Sequence, residues 1–404
     1  MTTSITTSVL SQRVQNMAES ATLKMAKLGR EVKAQGHDVI SLSLGEPDFD
    51  TPEHIKQAAK AALDAGQTKY TPVPGTPALR QAISDKFKRE NNLDYAPSQI
   101  VVSTGAKQSI ANLAWALLDE GDEVVILAPY WVSYSDIVSV AGGVPVLVGA
   151  GIEQDYKVAA SDIEAAITEK TKFVLFSSPC NPTGSVYTHD ELSDIAKMLT
   201  KFPDVLVVAD EIYEHINFTG KHVSIGTMPE VKDRTITVNG FSKGFAMTGW
   251  RLGYIGAPEY IAKAVTKIQG QSTSGANSIA QAAGVHALNT SLQPSIEMRE
   301  AFERRRELII KGLGAIPGFK VNRPQGAFYI FPDISALYGT SDGGQYTINN
   351  SDDMAEYLLM KAHVATVTGA AFGAPNCIRI SYAASEAQLE EAIARIARVV
   401  GELR

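Results

Sequence analysis

Six short runs of β-branched and aliphatic residues set the limits on how this chain can fold. They are QIVVST (99–104), EVVILA (123–128), VPVLV (144–148), KFVLFSS (172–178), DVLVVAD (204–210) and TITVN (235–239), most of them separated by helix-length amphipathic segments. Several are apolar at nearly every position, the mark of strands covered on both faces. The pattern predicts an α/β fold, a mostly parallel, doubly wound sheet. In such sheets the ligand lies beyond the carboxyl ends of the strands. From about residue 320 the character changes: QGAFYIFPDI, a Gly/Ser/Asn-rich loop YGTSDGGQYTINNSDD, then CIRISYA and a final helix SEAQLEEAIARIARVVGELR. These predict a smaller α+β unit.

Charge and cysteine content remove several classes of function. The 404 residues are 45% hydrophobic, enough for two domain cores, and carry a formal charge of −7. A nucleic-acid partner would need a basic face, so none is expected. Two cysteines, Cys180 and Cys377, are too few for a disulfide framework or a CxxC metal site. No metal is expected. No apolar run approaches the roughly 18 residues of a membrane span, and MTTSITTSVLSQR lacks the apolar core of a signal peptide. A cytoplasmic protein without a membrane partner is the expectation.

The residues that follow each run are the ones to inspect. Gly105-Ala106-Lys107 opens a helix after the first, and Trp131 follows the second by three residues. Asn181-Pro182-Thr183-Gly184, then Asp210 with Tyr213, then Ser242-Lys243 follow later runs. A glycine-opened helix start offers free N–H groups to an anion; alone, Gly105-Ala106 reads first as an ordinary tight turn. No GxGxxG or Walker loop is present, so a nucleotide is not the obvious phosphate carrier. Lys243 sits among Phe241, Phe245, Met247 and Trp250, surroundings that disfavour its ammonium and leave a nucleophilic amine able to condense with an aldehyde. Arg251 would offer a planar fork to a phosphate. Asp210, at the end of an apolar strand, needs a cationic partner. A carboxylate for a pyridinium nitrogen beside a Schiff-base lysine points to pyridoxal phosphate. Asn181 and Tyr213 suit a ring oxygen and Trp131 a ring face, although each alone reads as a core or surface residue.

Read in order, LSQRVQNMAESATLKM, LSLGEPDFDTPEHI, KYTPVPGTPALR, STGAKQ, PYWVSY, SPCNPTG, DEIYEH, SKGFAMTGWRLGY, QGAFYI and CIRISYA resemble the class I aminotransferases of pyridoxal-phosphate fold type I. The resemblance runs nearly end to end and is strongest to the bacterial aspartate and aspartate/prephenate branch. It implies that Lys243 holds the cofactor covalently and moves the proton at the substrate Cα, and that Asp210 keeps the ring nitrogen protonated. Asn181 and Tyr213 would bond the ring oxygen and Trp131 would stack on the ring. Gly105, Ala106, Lys107, Ser242 and Arg251 would surround the phosphate, with Tyr70 arriving from the second subunit of a homodimer. Arg379 and Gly45 would take the substrate α-carboxylate. The implied division is an arm with part of the small domain (1–50), a large cofactor-binding domain (51–310) and a small C-terminal domain (311–404).

One departure from the wider family stands out. Some aspartate aminotransferases meet the distal carboxylate with an arginine in the region that here reads KIQGQSTSGANSIAQ, which has none. Lys107 and Thr22 are the implied replacements. The expectation is ping-pong transfer of an amino group between aspartate or glutamate and a 2-oxo acid, prephenate included. Aromatic, kynurenine and alanine aminotransferases, and lyases on the same fold, share the cofactor residues and stay open as alternatives.

Overall fold

A computed structural model describes residues 9–17 and 21–404. Among the described residues the largest sheet has seven strands, β1 (Ile100–Ser103), β2 (Glu123–Ala128), β3 (Val144–Gly149), β4 (Thr171–Ser177), β5 (Leu206–Asp210), β6 (Thr235–Gly240) and β7 (Gly253–Gly256), in the spatial order β1-β7-β6-β5-β4-β2-β3. All six expected runs form strands of it. The seventh, β7, was not expected, and it is antiparallel to both neighbours. Four residues with a glycine at each end carry little strand signal. Both glycines are required by space: a Cβ at Gly253 would strike the Ala106 backbone, and one at Gly256 the Tyr95 ring.

Alternation along the strands distributes their side chains to two helical layers. On β2, Val124 and Ile126 pack with Ile110 and Leu113 of the helix Ala106–Leu117. Val125 and Leu127 point the other way, toward Leu192, Ile195 and Leu199 of the helix His189–Leu199. That helix begins with a reciprocal cap, in which the Glu191 N–H donates to Thr188 Oγ1 and the Thr188 N–H to Glu191 Oε2. β3 is the exposed edge and contains Pro145, a residue tolerated where no outer strand needs its N–H.

A smaller three-stranded antiparallel sheet joins Val367–Thr368, Ile378–Ser381 and Tyr329–Ile330, and Ile40–Ser41 pairs in parallel with Val364–Ala365. The helix Gln293–Gly314 runs unbroken across the expected boundary at 310. Its Met298, Phe302 and Ile309 share one core with Ile330, Ile380 and Ile396. That face of the helix is buried against the smaller sheet and the last helix. None of the helices among the described residues is long and apolar enough to cross a membrane.

Candidate active site

The carboxyl ends of β1, β2, β4, β5 and β6 open on one cavity of about 370 Å³. Its wall includes Thr22, Gly45, Ala106, Lys107, Trp131, Asn181, Asp210, Tyr213, Ser242, Lys243, Arg251 and Arg379. Residues separated by more than three hundred positions in the chain therefore meet where the sheet topology directs them. Gly105 stands directly behind, at φ 86° and ψ 156°, capping the helix Ala106–Leu117. Only glycine fits there, because a Cβ would come within 3.0 Å of Arg251 Cζ. Tyr70 is the exception. Its side chain is fully exposed, at 101%, and it does not line this cavity in the single chain.

Lys243, half-buried, donates from Nζ to the Gly45 carbonyl. Burial lowers its pKa to about 8, with the Arg379 and Arg251 charges adding to the fall and Glu46 opposing it. The amine is thus closer to neutral than an ordinary lysine at physiological pH. Asp210 ends β5 with 4% exposure, and burial raises its carboxyl to about 6. Two donors work against that rise, the Tyr134 hydroxyl at 2.7 Å and the Ile212 N–H at 3.2 Å. A buried carboxylate held by neutral donors suits a cationic N–H from a bound ring.

Arg379 is 2% exposed on the strand Ile378–Ser381. Nη1 donates to Asn181 Oδ1 at 3.0 Å and Nη2 to the Ser43 carbonyl at 2.6 Å. Its Nε has no partner among the described residues. The guanidinium lies 4.6 Å from the Tyr329 ring centre and 4.9 Å from that of Phe372. A fork so fixed, with a buried donor uncommitted, fits a planar carboxylate. Tyr213 and Tyr329 share a hydroxyl–hydroxyl bond of 2.7 Å, and burial pushes both phenols above their ordinary range.

A second cationic region lies toward the helix Ala106–Leu117. Lys107 Nζ sits 4.9 Å from the centre of the Trp131 ring, a cation–π distance. Burial lowers its pKa, the nearby Arg251 charge lowers it further, and Asp136 opposes both. Arg251 itself adopts a left-handed backbone, φ 52° and ψ 58°, and donates from Nη1 to the Thr248 carbonyl at 3.0 Å. Such a conformation is costly for a side chain of this size and recurs at ligand clamps. Arg251 lies against Gly105 and lines the cavity with Ser242, a set of groups with the chemistry to hold an anion.

Sequence reasoning overlooked four contributors to the wall or its support: Tyr134, Tyr329, Glu46 and the Ser43 carbonyl. The two tyrosines stood inside quoted motifs, PYWVSY and QGAFYI, but a tyrosine in a helix or strand reads as core until its hydroxyl partner is known.

A mostly parallel sheet whose carboxyl edge brings a lysine, a buried carboxylate and Arg251 to one cavity, with Arg379 facing them from the smaller sheet, has the arrangement of a pyridoxal-phosphate fold of the aminotransferase type. The sequence profile of "Aminotransferase class I and II" matches residues 37–396, and the chain belongs to that family. It is 49% identical to an aspartate aminotransferase of Bacillus sp. (strain YM-2), over 97% of this chain and 99% of that one. It is 48% identical to a probable aspartate/prephenate aminotransferase of Rhizobium leguminosarum bv. phaseoli, over 97% and 98%. The crystal structure of an aspartate aminotransferase from Rhizobium meliloti superposes with a TM-score of 0.95 at 45% identity, covering 98% of this chain and 99% of that one. Pyridoxal phosphate is the cofactor of the family, and the donor set described above fits it.

Proposed function

We propose that this protein moves an amino group between aspartate or glutamate and a 2-oxo acid such as 2-oxoglutarate or oxaloacetate, both half-reactions using one site in ping-pong order. The observation that carries the reading is the pairing of two cationic groups around one nucleophilic lysine: Arg379 on one side, Lys107 with Trp131 on the other. Dicarboxylates need both. Relatives about half identical over nearly the whole chain, named for aspartate and aspartate/prephenate, support the same reading.

Bound pyridoxal phosphate supplies an aldehyde that takes up the amino group and a cationic ring that withdraws electrons from the bonds to Cα. Asp210 would hold the proton at the ring nitrogen, and the Tyr134 hydroxyl holds Asp210. Gly105, Ala106, Ser242 and Arg251 seat the phosphate. Asn181 and Tyr213 would hold the ring oxygen, and Trp131 would cover the ring. Arg379, with Gly45 beside it, fixes the α-carboxylate and so orients the Cα hydrogen toward Lys243. The Lys243 amine, with its lowered pKa, takes that proton and returns it on the other side of the transfer. Lys107 meets the β- or γ-carboxylate as a point charge on a flexible stem, tolerant of chain length, and Thr22 adds a hydroxyl. That tolerance extends to prephenate.

The complete exposure of Tyr70 favours a homodimer in which each Tyr70 reaches the phosphate seat of the other subunit. Cytoplasmic location, and a division into an arm, a large unit and a small unit that takes in the helix Gln293–Gly314, belong to the same proposal. The test is a matrix of amino donors against 2-oxoglutarate, oxaloacetate and prephenate with purified holoenzyme. Fastest turnover with aspartate or glutamate is expected. Preference for phenylalanine, kynurenine or alanine, or release of ammonia without an acceptor, would replace this reading with an aromatic-type transaminase or a lyase.

A further inference from the structure

Behind the turn that carries Asp210 and Tyr213 lies a buried ionic network that the reaction does not use. The segment 210–215 alternates its faces: Asp210 and Tyr213 line the cavity, while Glu211, Glu214 and His215 point into the protein. Lys86, with no solvent exposure at the end of the helix Pro77–Lys86, donates to Glu214 Oε1 and, at 2.7 Å, to Asn91 Oδ1. Asn91 Nδ2 donates to the other Glu214 oxygen at 2.5 Å. His215 Nε2 lies 3.0 Å from Glu90 Oε2, and His222 Nε2 lies 3.0 Å from Glu211 Oε2.

Burial opposes the charge on Glu214, but Lys86, His215 and His222 outweigh it and bring the carboxyl down to about 2. The same contest raises His222, where Glu211 prevails over burial. Glu214 therefore stays ionised four residues from Asp210. Glu211, Glu214 and His222 bring ligand-type atoms within 4.8 Å of one another. The Lys86 ammonium on Glu214 already fills the cationic role there.

We propose that Lys86 is a positioning residue for the cofactor-facing pair Asp210 and Tyr213: by neutralising and hydrogen-bonding Glu214 on the far face of the same turn, it anchors the turn and keeps Asp210 ionised. The inference rests on the reading of Asp210 as the partner of the ring nitrogen. Asp210 also faces Tyr134, Cys180, Tyr213, Glu211 and Lys243. Glu214 faces Glu90, His215, His222 and Tyr254 in addition to Lys86. None of these supplies Glu214 with a second buried lysine. Unit charges roughly 10 Å apart in a medium of effective dielectric about 20 shift one another by about one pH unit.

The experiment measures the dissociation constant of pyridoxal phosphate from the apoenzyme between pH 5 and 8. In wild type the affinity falls as Asp210 takes up a proton. Lys86→Met removes the cation and is expected to move that inflection up by about one pH unit. Glu214→Gln removes the anion and is expected to move it down. The double variant Lys86→Met/Glu214→Gln restores the charge balance and returns it to the wild-type position. Loss of packing alone cannot give opposite shifts that cancel. If the two folded single variants leave the inflection in place, or move it the same way, the proposal is overturned. Should Lys86→Met fail to fold, Glu214→Gln and the double variant decide the question: a downward shift that the double abolishes supports it, and any other result overturns it. Asp210→Asn should flatten the profile; an inflection that survives it overturns the reading of Asp210 itself, whatever Lys86 does.

Discussion

The Tyr134 hydroxyl donates to Asp210 Oδ2 across 2.7 Å, and both side chains are buried. Tyr134 is also edge-on to Trp131, with ring centres 5.5 Å apart. One residue thus braces two cofactor-facing groups. Tyr134→Phe would keep the ring and remove only the donor. A hydrogen bond to a charged group contributes about 1.5–3 kcal/mol, so affinity for pyridoxal phosphate at pH 7 should fall about ten- to a hundredfold. Fluorescence titration of the apoenzyme measures it. Unchanged affinity would show that Asp210 needs no donor.

Without the cofactor, Asp210 should make the apoenzyme less stable as pH rises. Its folded value of about 6 lies above the 3.8 of an ordinary aspartate. Stability from this group is present below pH 3.8 and lost as pH climbs through about 6, a change of about 3 kcal/mol. Asp210→Asn should remove that slope. Urea unfolding of the two apoenzymes at pH 4 and pH 7 makes the comparison, and parallel curves would contradict the burial assigned to the carboxylate.

Lys243 should behave as an amine with a pKa near 8. Its labelling by an amine reagent in the apoenzyme should rise around that pH, two units below ordinary lysines. Borohydride reduction of the holoenzyme should fix the cofactor to the peptide containing Lys243, and Lys243→Ala should abolish turnover. Attachment to any other lysine would remove the assignment.

Arg379 should matter equally to every amino donor, since its proposed partner is the α-carboxylate they share. Arg379→Ala is expected to depress kcat/KM across the whole series. Arg379→Lys keeps the charge but loses the fork held by Asn181 and Ser43, and should recover little. A defect limited to dicarboxylates would mean that the two anion sites are exchanged.

Lys107 carries the distinction between dicarboxylic and apolar donors. Lys107→Ala should lower kcat/KM for aspartate and glutamate by about 2–4 kcal/mol, the cost of leaving a desolvated carboxylate without its partner. Phenylalanine should change far less. Equal losses for aspartate and phenylalanine would assign Lys107 to the phosphate instead.

Strands buried on both faces announce themselves as uninterrupted apolar runs, which is why six of them were legible and the polar residues at their ends could be read as one site. β7 was not legible, because its glycines answer to the close approach of Ala106 and Tyr95 rather than to strand propensity. The Ser43 contribution is a backbone carbonyl and has no side-chain signature. Lys86 reads as one more solvated charge on an amphipathic helix, and only the packing of that helix against the 210–215 turn reveals that it is sealed from water. The continuity of the helix Gln293–Gly314 through residue 310 was not legible for a related reason, since which core a helix face covers is not written in the segment it follows.

The reversed direction of β7 has a consequence for how the site can vary. Gly253 pairs with Gly240 on one side and Ser103 on the other, so β7 begins where β6 and β1 end. Lys243 leaves β6 three residues after its last position, and Arg251 enters β7 two residues before its first. A parallel strand in that place would need a crossover of a dozen or more residues to bring a second cation back to the same edge. Here the return is a hairpin, and the two basic residues are placed by ladder hydrogen bonds of the strands on either side of the segment 244–250. Phe245 and Met247 of that segment are buried in the core, so an insertion is accommodated only near its exposed tip, Gly249. A one-residue slip of β7 would carry Arg251 away from Gly105 and turn both glycines out of the only places that have room for them.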